Sequence, residues 1–185
     1  MKERKAKFLL KMYPQFFTSF LNRGKHAHHQ LSVGDGWYPL MFDLCARLFS
    51  LQYEVEMKKQ SLTLDCVQLK EKMGGLRFYY DVKVTGESQF SILFQKIDQW
   101  CRTQLCKRGL YKQYWAIYRF RRKYIYETIS EKVNSIVSAG ESLSYRTCEV
   151  CGAIGERCTP NGHWIETLCE RHEKEAKSKR EKGDW

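Results

Sequence analysis

The feature that most constrains this chain is a group of four residues late in the sequence. Cys148 and Cys151 form a C-x2-C pair, and Cys169 and His172 form a C-x2-H pair after a gap of 17 residues. Each pair can supply two ligands from one tight turn, and the intervening loop can bring the pairs together around a tetrahedral ion. Thiolate and imidazole ligands suit Zn²⁺, and four protein ligands leave no open position for catalysis. We therefore predict a structural zinc site in a module over residues 144–172.

Other interpretations of the cysteines remain open from the sequence. Cys158 and His163 lie inside the loop, and either could replace one of the four ligands. Disulfides are disfavoured because the N-terminal segment lacks the pattern of a signal peptide, so the eight cysteines are expected to be reduced in a cytoplasm. The cysteines outside the module are expected to be thiols of the core: Cys45, Cys66, Cys101 and Cys106.

Positive charge is concentrated in two segments. The formal net charge is +11; residues 1–25 carry about +6, and residues 101–124 contain eight Lys and Arg with no Asp or Glu. Such concentration indicates an anionic partner, which could be nucleic acid, an acidic protein face or a lipid surface. No apolar run reaches 18 residues, so we expect no membrane span and no membrane partner.

The pattern of apolar residues predicts a mainly helical α+β fold. A first helix over 1–22 is expected to break near Pro14. The following stretch is expected to be a solvated loop; it holds three histidines for which metal binding is the alternative, namely His26, His28 and His29. Pro39 marks the start of a second helix, whose apolar residues recur at Leu40, Leu44, Leu48 and Leu51.

A β-hairpin and further helices follow. Residues 62–69 and 76–84 are rich in β-branched and aromatic residues, and Gly74 and Gly75 are expected to supply positive φ angles in the turn between them. A helix is predicted over about 88–106, with Phe90, Leu93, Phe94, Ile97 and Cys101 facing inward. A long helix is predicted over about 110–138, ended by Gly140, and a charged tail over 173–185 is expected to form a solvated helix.

The basic segment interleaves cations with aromatic rings, which suits nucleic acid because cations pair with phosphates and exposed rings stack on bases. The alternative is that Tyr111, Trp115 and Tyr118 form a buried stripe beside solvated cations. The residues predicted to contact nucleic acid or another partner are Lys107, Arg108, Lys112, Arg119, Arg121, Arg122 and Lys123.

Three motifs resemble those of a family of small zinc-finger-like proteins encoded by bacteriophages and prophages. They are the GW-x-x-L…LC motif from Gly36 to Cys45, the KEK-x-GGLRFY motif from Lys70 to Tyr79, and the C-x2-CG…TLC-x2-H motif from Cys148 to His172. The resemblance covers about residues 34–83 and 139–172. It implies a cytoplasmic zinc protein of a bacterial host cell. The chain departs from the family pattern in an added basic N-terminus and an insert at about 87–138, and we predict a domain over 1–140 that carries this insert.

We find no nucleophile–base pair, phosphate-binding loop or paired carboxylates, so an enzyme is not expected. The leading hypothesis is a non-enzymatic accessory protein that engages nucleic acid, or a host complex that handles nucleic acid, through the basic helix. The alternative is an inhibitor that binds a host defence or transcription protein directly. The long helix could equally form a homodimer interface.

Overall fold

The computed structural model describes residues 1–24, 27, 31–86, 89–124, 128–160 and 162–181. The three histidines of the predicted loop, His26, His28 and His29, lie outside these residues. The N-terminal segment forms helix α1 (Glu3–Met12), a 3₁₀ turn (Pro14–Phe16) and helix α2 (Thr18–Leu21). The predicted break at Pro14 is confirmed, because proline cannot donate the backbone hydrogen bond that would continue α1.

Helix α3 (Tyr38–Met57) forms the centre of the core. Pro39 lies in its first turn, where the missing N–H costs nothing. The predicted apolar repeat is confirmed, since its four leucines are buried: Leu40, Leu44, Leu48 and Leu51. Two predicted core thiols are confirmed as well, because Cys45 and Cys66 are fully buried and burial raises the pKa of both.

The sheet has the strand order β1-β2-β3. Strand β1 (Leu31–Ser32), which the sequence did not indicate, runs parallel to β2 (Ser61–Lys72), and β2 pairs antiparallel with β3 (Gly75–Thr85). The predicted hairpin is confirmed. A register shift between Cys66 and Gln68 advances the alternation by one residue, so that Leu69 is buried after Leu62, Leu64 and Cys66.

The hairpin turn differs in one respect from the prediction. Positive φ angles occur at Met73 (54°) and Gly74 (73°), and not at Gly75. Gly75 is required for space, because a Cβ atom there would lie 2.4 Å from the ring of Tyr145.

Helices α4 (Gln89–Lys107) and α5 (Tyr111–Tyr124) form a helical hairpin in which Tyr114 is buried. The expectation that Leu93 and Ile97 face inward is wrong, because these side chains are 53% and 46% exposed. Cys101 and Cys106 are half-buried, and the side chains of Phe90 and Phe94 lie outside the described set.

The single helix predicted over 110–138 is wrong. Helix α6 (Ile129–Ser144) begins anew at Thr128, whose hydroxyl accepts a hydrogen bond from the N–H of Glu131 while the Glu131 carboxylate accepts one from the N–H of Thr128. Gly140 does not end the helix. It lies where α6 crosses α3, and a Cβ atom there would lie 2.6 Å from a methyl carbon of Leu44.

Helix α6 also closes the outer edge of the sheet. The backbone N–H of Leu76 donates to the Ser144 hydroxyl at 2.8 Å, and that of Phe78 donates to the Glu141 carboxylate at 2.8 Å. These bonds satisfy donors of β3 that would otherwise form an open strand edge. Helix α6 therefore belongs to the core, although its first part falls within the predicted insert.

The chain continues with a second small sheet of β4 (Glu156–Cys158) and β5 (Glu166–Leu168), followed by helix α7 (Glu170–Glu181). The predicted α+β fold, mainly helical with a small sheet, is confirmed. No helix in the described part of the chain combines the length and apolar character needed to cross a bilayer.

Candidate metal centre

The first cysteine pair lies in a tight turn directly after α6. The N–H of Cys148 donates to the carbonyl of Ala153 at 2.7 Å, and the N–H of Gly152 donates to the carbonyl of Cys148 at 2.8 Å. Gly152 has a φ angle of 81°, a conformation that glycine adopts without steric cost. The turn therefore presents the thiols of Cys148 and Cys151 from one compact piece of backbone.

The second pair lies where β5 meets α7. Cys169 follows the last residue of β5, and His172 lies in the first turn of α7. The helix sets the spacing, because residues three apart project from the same face of a helix. Helix α7 thus starts inside the predicted module and continues into the predicted charged tail as far as Glu181.

The four predicted ligands come together in space. Their ligand atoms lie within 4.8 Å of one another, with Cys151 Sγ to Cys169 Sγ at 3.8 Å. The Nδ1 atom of His172 lies 3.4 Å from Cys148 Sγ and 3.2 Å from Cys169 Sγ. With metal–sulfur bonds of about 2.3 Å and metal–nitrogen bonds of about 2.0 Å, a tetrahedral ion would separate two sulfurs by about 3.8 Å and a sulfur from a nitrogen by about 3.5 Å. The donor set therefore fits a tetrahedral metal ion.

The backbone around the cluster stabilises thiolates. The pKa of Cys169 is lowered to about 6, chiefly by the N–H of His172 and further by hydrogen bonds with Cys151, His172 and Cys148. The pKa of Cys148 is raised by its burial, although three backbone N–H groups near its sulfur oppose this effect. A bound cation would favour the deprotonated form of both thiols.

The second ring nitrogen of His172 faces the charged surface of α7. Nε2 lies 3.9 Å from a carboxylate oxygen of Glu175 and 3.1 Å from Nη2 of Arg171. With a metal on Nδ1, Nε2 would carry the proton. At 3.9 Å the Glu175 carboxylate lies beyond hydrogen-bond distance, so its influence on the imidazole is electrostatic.

Two glycines just before α3 let this module dock on the core. A Cβ atom at Gly34 would lie 2.2 Å from the carbonyl oxygen of Glu149, and one at Gly36 would lie 2.3 Å from the carbonyl oxygen of Cys148. The N–H of Gly36 donates to the Glu149 carbonyl at 2.7 Å. Neither glycine has a positive φ angle, so close backbone approach explains both.

The hairpin turn supports the other half of the module. The hydroxyl of Thr167, which is fully buried, donates to the carbonyl of Gly74 at 2.5 Å. The carboxyl group of Glu149 lies in the same interface, and its pKa is raised to about 8 by burial and by the nearby carboxylates of Glu166 and Glu71. The turn and the metal module therefore form one continuous interface.

The ring of Tyr145, just after α6, contacts both the hairpin strand β3 and strand β4 of the metal module. Its hydroxyl accepts a hydrogen bond from Arg77, and the guanidinium carbons of Arg77 and Arg157 lie 5.4 and 5.1 Å from its ring centre. Arg77 also lies 3.8 Å from the Glu141 carboxylate. Arg77 therefore pairs with Glu141 of α6.

The two alternative ligands are not part of the cluster. The thiol of Cys158 donates to the carbonyl of Glu166 across the β4–β5 pair at 3.7 Å, and its pKa is raised by burial and by Glu173 and Glu166. His163 lies exposed in the loop between these strands. The C-x2-C and C-x2-H spacing therefore identified the four residues that cluster in space.

The predicted basic contact residues lie on the α4–α5 hairpin. Four of them are exposed, namely Lys107, Arg108, Lys112 and Arg119, whereas the side chains of Arg121, Arg122 and Lys123 lie outside the described set. The buried-stripe interpretation is wrong for Tyr111 and Trp115, which are 57% and 51% exposed, because Tyr114 fills the buried position.

Comparison of the chain with protein-family models, with curated proteins and with solved structures finds no match.

Proposed function

We propose that the four-residue cluster holds a structural Zn²⁺ ion. The observation that carries this proposal is the ligand geometry, in which three sulfurs and one nitrogen are spaced as the vertices of a tetrahedron. Four protein ligands close the coordination shell, so the ion supplies folding free energy, about 10 kcal/mol or more at neutral pH, and no activated water. The short strands of β4 and β5 offer little apolar surface to replace it.

Metal analysis of the purified full chain tests the zinc site. We expect one zinc per chain, and replacement by Co²⁺ should give the visible absorption of a tetrahedral thiolate site. Cys151→Ser should lose the metal, while Cys158→Ser, the matched control in strand β4 of the same module, should retain it. Equal metal content in both variants would contradict the assignment.

The protein's partner is proposed to be nucleic acid, bound at the exposed face of α5. Lys112, Trp115 and Arg119 are spaced at three and four residues and therefore share one face of the helix. All three are exposed, and the indole can stack on an unpaired base while the cations contact phosphates. In this function the chain is a binding protein and not an enzyme.

Salt-dependent binding of labelled single-stranded oligonucleotides tests this surface. Lys112→Gln combined with Arg119→Gln should lower the slope of log affinity against log salt by about two, whereas Lys83→Gln on β3 should leave binding unchanged. Trp115→Ala should weaken binding about 5- to 100-fold at constant slope. Unchanged slopes in the double variant would overturn the assignment of α5.

The three motifs that resemble phage and prophage proteins are far apart in sequence, yet Gly36, Gly74 and Cys148 all lie where the metal module meets the core. The motifs therefore build one interface. The motif resemblance alone is the basis on which we propose that the chain is a phage-type accessory protein.

A second candidate is direct inhibition of a host defence or transcription protein. Leu93, Ile97 and Trp100 share a face of α4 and are 46–64% exposed, and such an apolar face favours a protein partner or a second copy of the chain. Affinity purification from nuclease-treated lysate, with Leu93→Glu as the disrupting variant, tests this candidate. Reproducible capture of one host protein, lost in the variant and accompanied by no oligonucleotide binding, would favour it over nucleic acid.

A further inference from the structure

A second basic and aromatic surface is a groove near the N-terminus of the chain. It lies between α1 and the start of α3, with a volume of about 520 Å³. Its lining consists of Arg4, Lys5, Lys7, Phe8, Lys11 and Tyr38. The groove thus combines the two chemistries, cationic and aromatic, that the basic insert also combines.

The floor of the groove is aromatic. Phe8 is 47% exposed, and its ring stacks on Phe42 with centroids 6.4 Å apart and planes inclined by 22°. Tyr38 lies 6.3 Å from the same Phe42 ring. Packing therefore holds Phe8 in place from beneath while almost half of its surface stays open to solvent, which is the condition for a stacking platform.

The rim of the groove is positively charged. Arg4, Lys7 and Lys11 follow one another at three and four residues along α1, on the same face as Phe8. Glu3 pairs with Lys7, and Asp35 pairs with Lys5 at 2.8 Å. Among the described residues, neither Arg4 nor Lys11 has a carboxylate within ion-pair distance, so these two cations are available to an anion.

We propose that this groove binds a short stretch of single-stranded nucleic acid, with a base on Phe8 and phosphates against Arg4 and Lys11. Those two residues are seven positions apart, about 10 Å along the helix. A duplex would offer phosphates but keep its bases stacked inside, so it would leave the aromatic floor uncovered. The class of ligand, nucleic acid, rests on the proposed function, whereas the site rests on the residues of α1 that line the groove.

Binding of labelled oligo-dT and oligo-rU to the full metal-loaded chain tests the groove. Phe8→Ala and Phe8→Leu should both weaken binding about 5- to 100-fold, because leucine keeps the apolar contact with Phe42 but has no aromatic face. Arg4→Gln combined with Lys11→Gln should lower the salt slope by about two. Lys58→Gln, a matched control at the far end of α3, should bind like the unaltered chain.

Cross-linking separates this inference from the assignment of α5. Oligonucleotides that carry 5-iodouracil should cross-link to peptides that contain Phe8 or Tyr38, and mass spectrometry maps these cross-links. If cross-links and affinity losses are confined to α5, the groove is not a binding site and the proposed function of α5 stands. If the losses are confined to the groove variants, the groove is the binding site and the assignment of α5 is wrong.

The remaining outcomes concern other anions. The unaltered chain could bind polyglutamate, or vesicles of equal parts phosphatidylserine and phosphatidylcholine, while ignoring both oligonucleotides. That result would overturn the groove's ligand class together with the proposed function. Circular dichroism and zinc content that match the unaltered chain show that each variant is folded.

Discussion

The indole nitrogen of Trp37 donates a hydrogen bond of 2.7 Å to the carbonyl oxygen of Thr147, the residue before the first proposed metal ligand. Trp37 is fully buried, so no water can replace this bond. The contact joins the start of α3 to the turn that presents Cys148. The position of the metal module is therefore set in part by a residue of the core.

Trp37→Phe should destabilise the protein by about 1–2 kcal/mol, because the carbonyl of Thr147 would lose its donor in a partly buried contact. Urea denaturation of the zinc-loaded chain measures this loss. Trp100→Phe on the surface of α4, where the indole is 64% exposed, should change stability by less than about 0.5 kcal/mol. Equal denaturation midpoints for the two variants would show that the indole bond contributes nothing.

Gly36→Ala should weaken metal binding without touching a ligand. The new methyl group would lie 2.3 Å from both the Cys148 carbonyl and the Gly152 nitrogen, so the turn must move, at a cost of about 1–3 kcal/mol. Transfer of zinc to a chromogenic chelator reports the change in affinity.

The matched control for this variant is Gly109→Ala. Gly109 has a φ angle of 73°, but no neighbouring atom lies within 4 Å of the place a methyl group would take, so alanine there costs about 1–2 kcal/mol of backbone strain alone. Zinc should be held as tightly as in the unaltered chain. If both variants release zinc equally fast, general destabilisation and not displacement of the turn is the cause.

Features that depend on neighbouring residues in the sequence were predictable, whereas features that depend on contacts between distant segments were not. The spacing of Cys148, Cys151, Cys169 and His172 is local within each pair, and Pro14 acts on its own helix, so both were predictable. The role of Gly36 depends on a backbone more than 100 residues away, which no local pattern records. Periodicity showed that Leu93 and Ile97 share a face, but not whether another element covers it.

The sequence contains a signal for the start of α6, but the apolar repeat across it favours one continuous helix. Ile125, Ile129 and Val133 keep the helical period across the break, which favours one long helix. Thr128 and Glu131, however, have the spacing of a capping box, and the structure forms both of its hydrogen bonds. A capping box inside an apolar repeat is therefore the stronger of the two signals here.

Thr128→Ala should destabilise the protein by about 1–2 kcal/mol, because the hydroxyl satisfies a backbone donor at the start of a buried helix. Thermal or urea denaturation measures the loss. Thr103→Ala, at an exposed position near the C-terminal end of α4, removes a hydroxyl bonded to the carbonyl of Gln99 and should have almost no effect. A neutral result for Thr128→Ala would mean that packing alone fixes the start of α6.

Asp35 should make the stability of the protein depend on acidity. Burial would raise the pKa of its carboxyl group, but hydrogen bonds from Lys5 Nζ at 2.8 Å and from the N–H of Lys2 at 2.7 Å, with the charges of both lysines, hold it below its usual value. A lowered pKa in the folded state adds stability that is full above the unfolded-state pKa of about 4 and is lost as the pH falls through the folded-state value. Since the pair is partly exposed, the contribution is about 0.5–1 kcal/mol at neutral pH.

The difference in free energy of unfolding between the unaltered chain and Asp35→Asn isolates this effect, because acid release of the metal affects both proteins alike. The difference should be constant from neutral pH to about pH 5 and should shrink below about pH 4. Lys11→Gln, which removes a cation of α1 that has no carboxylate within ion-pair distance among the described residues, should give a difference with no such decline. A difference for Asp35→Asn that stays level down to the lowest pH at which the fold persists would show that the Lys5–Asp35 pair does not tie α1 to the turn that carries Gly36 and Trp37.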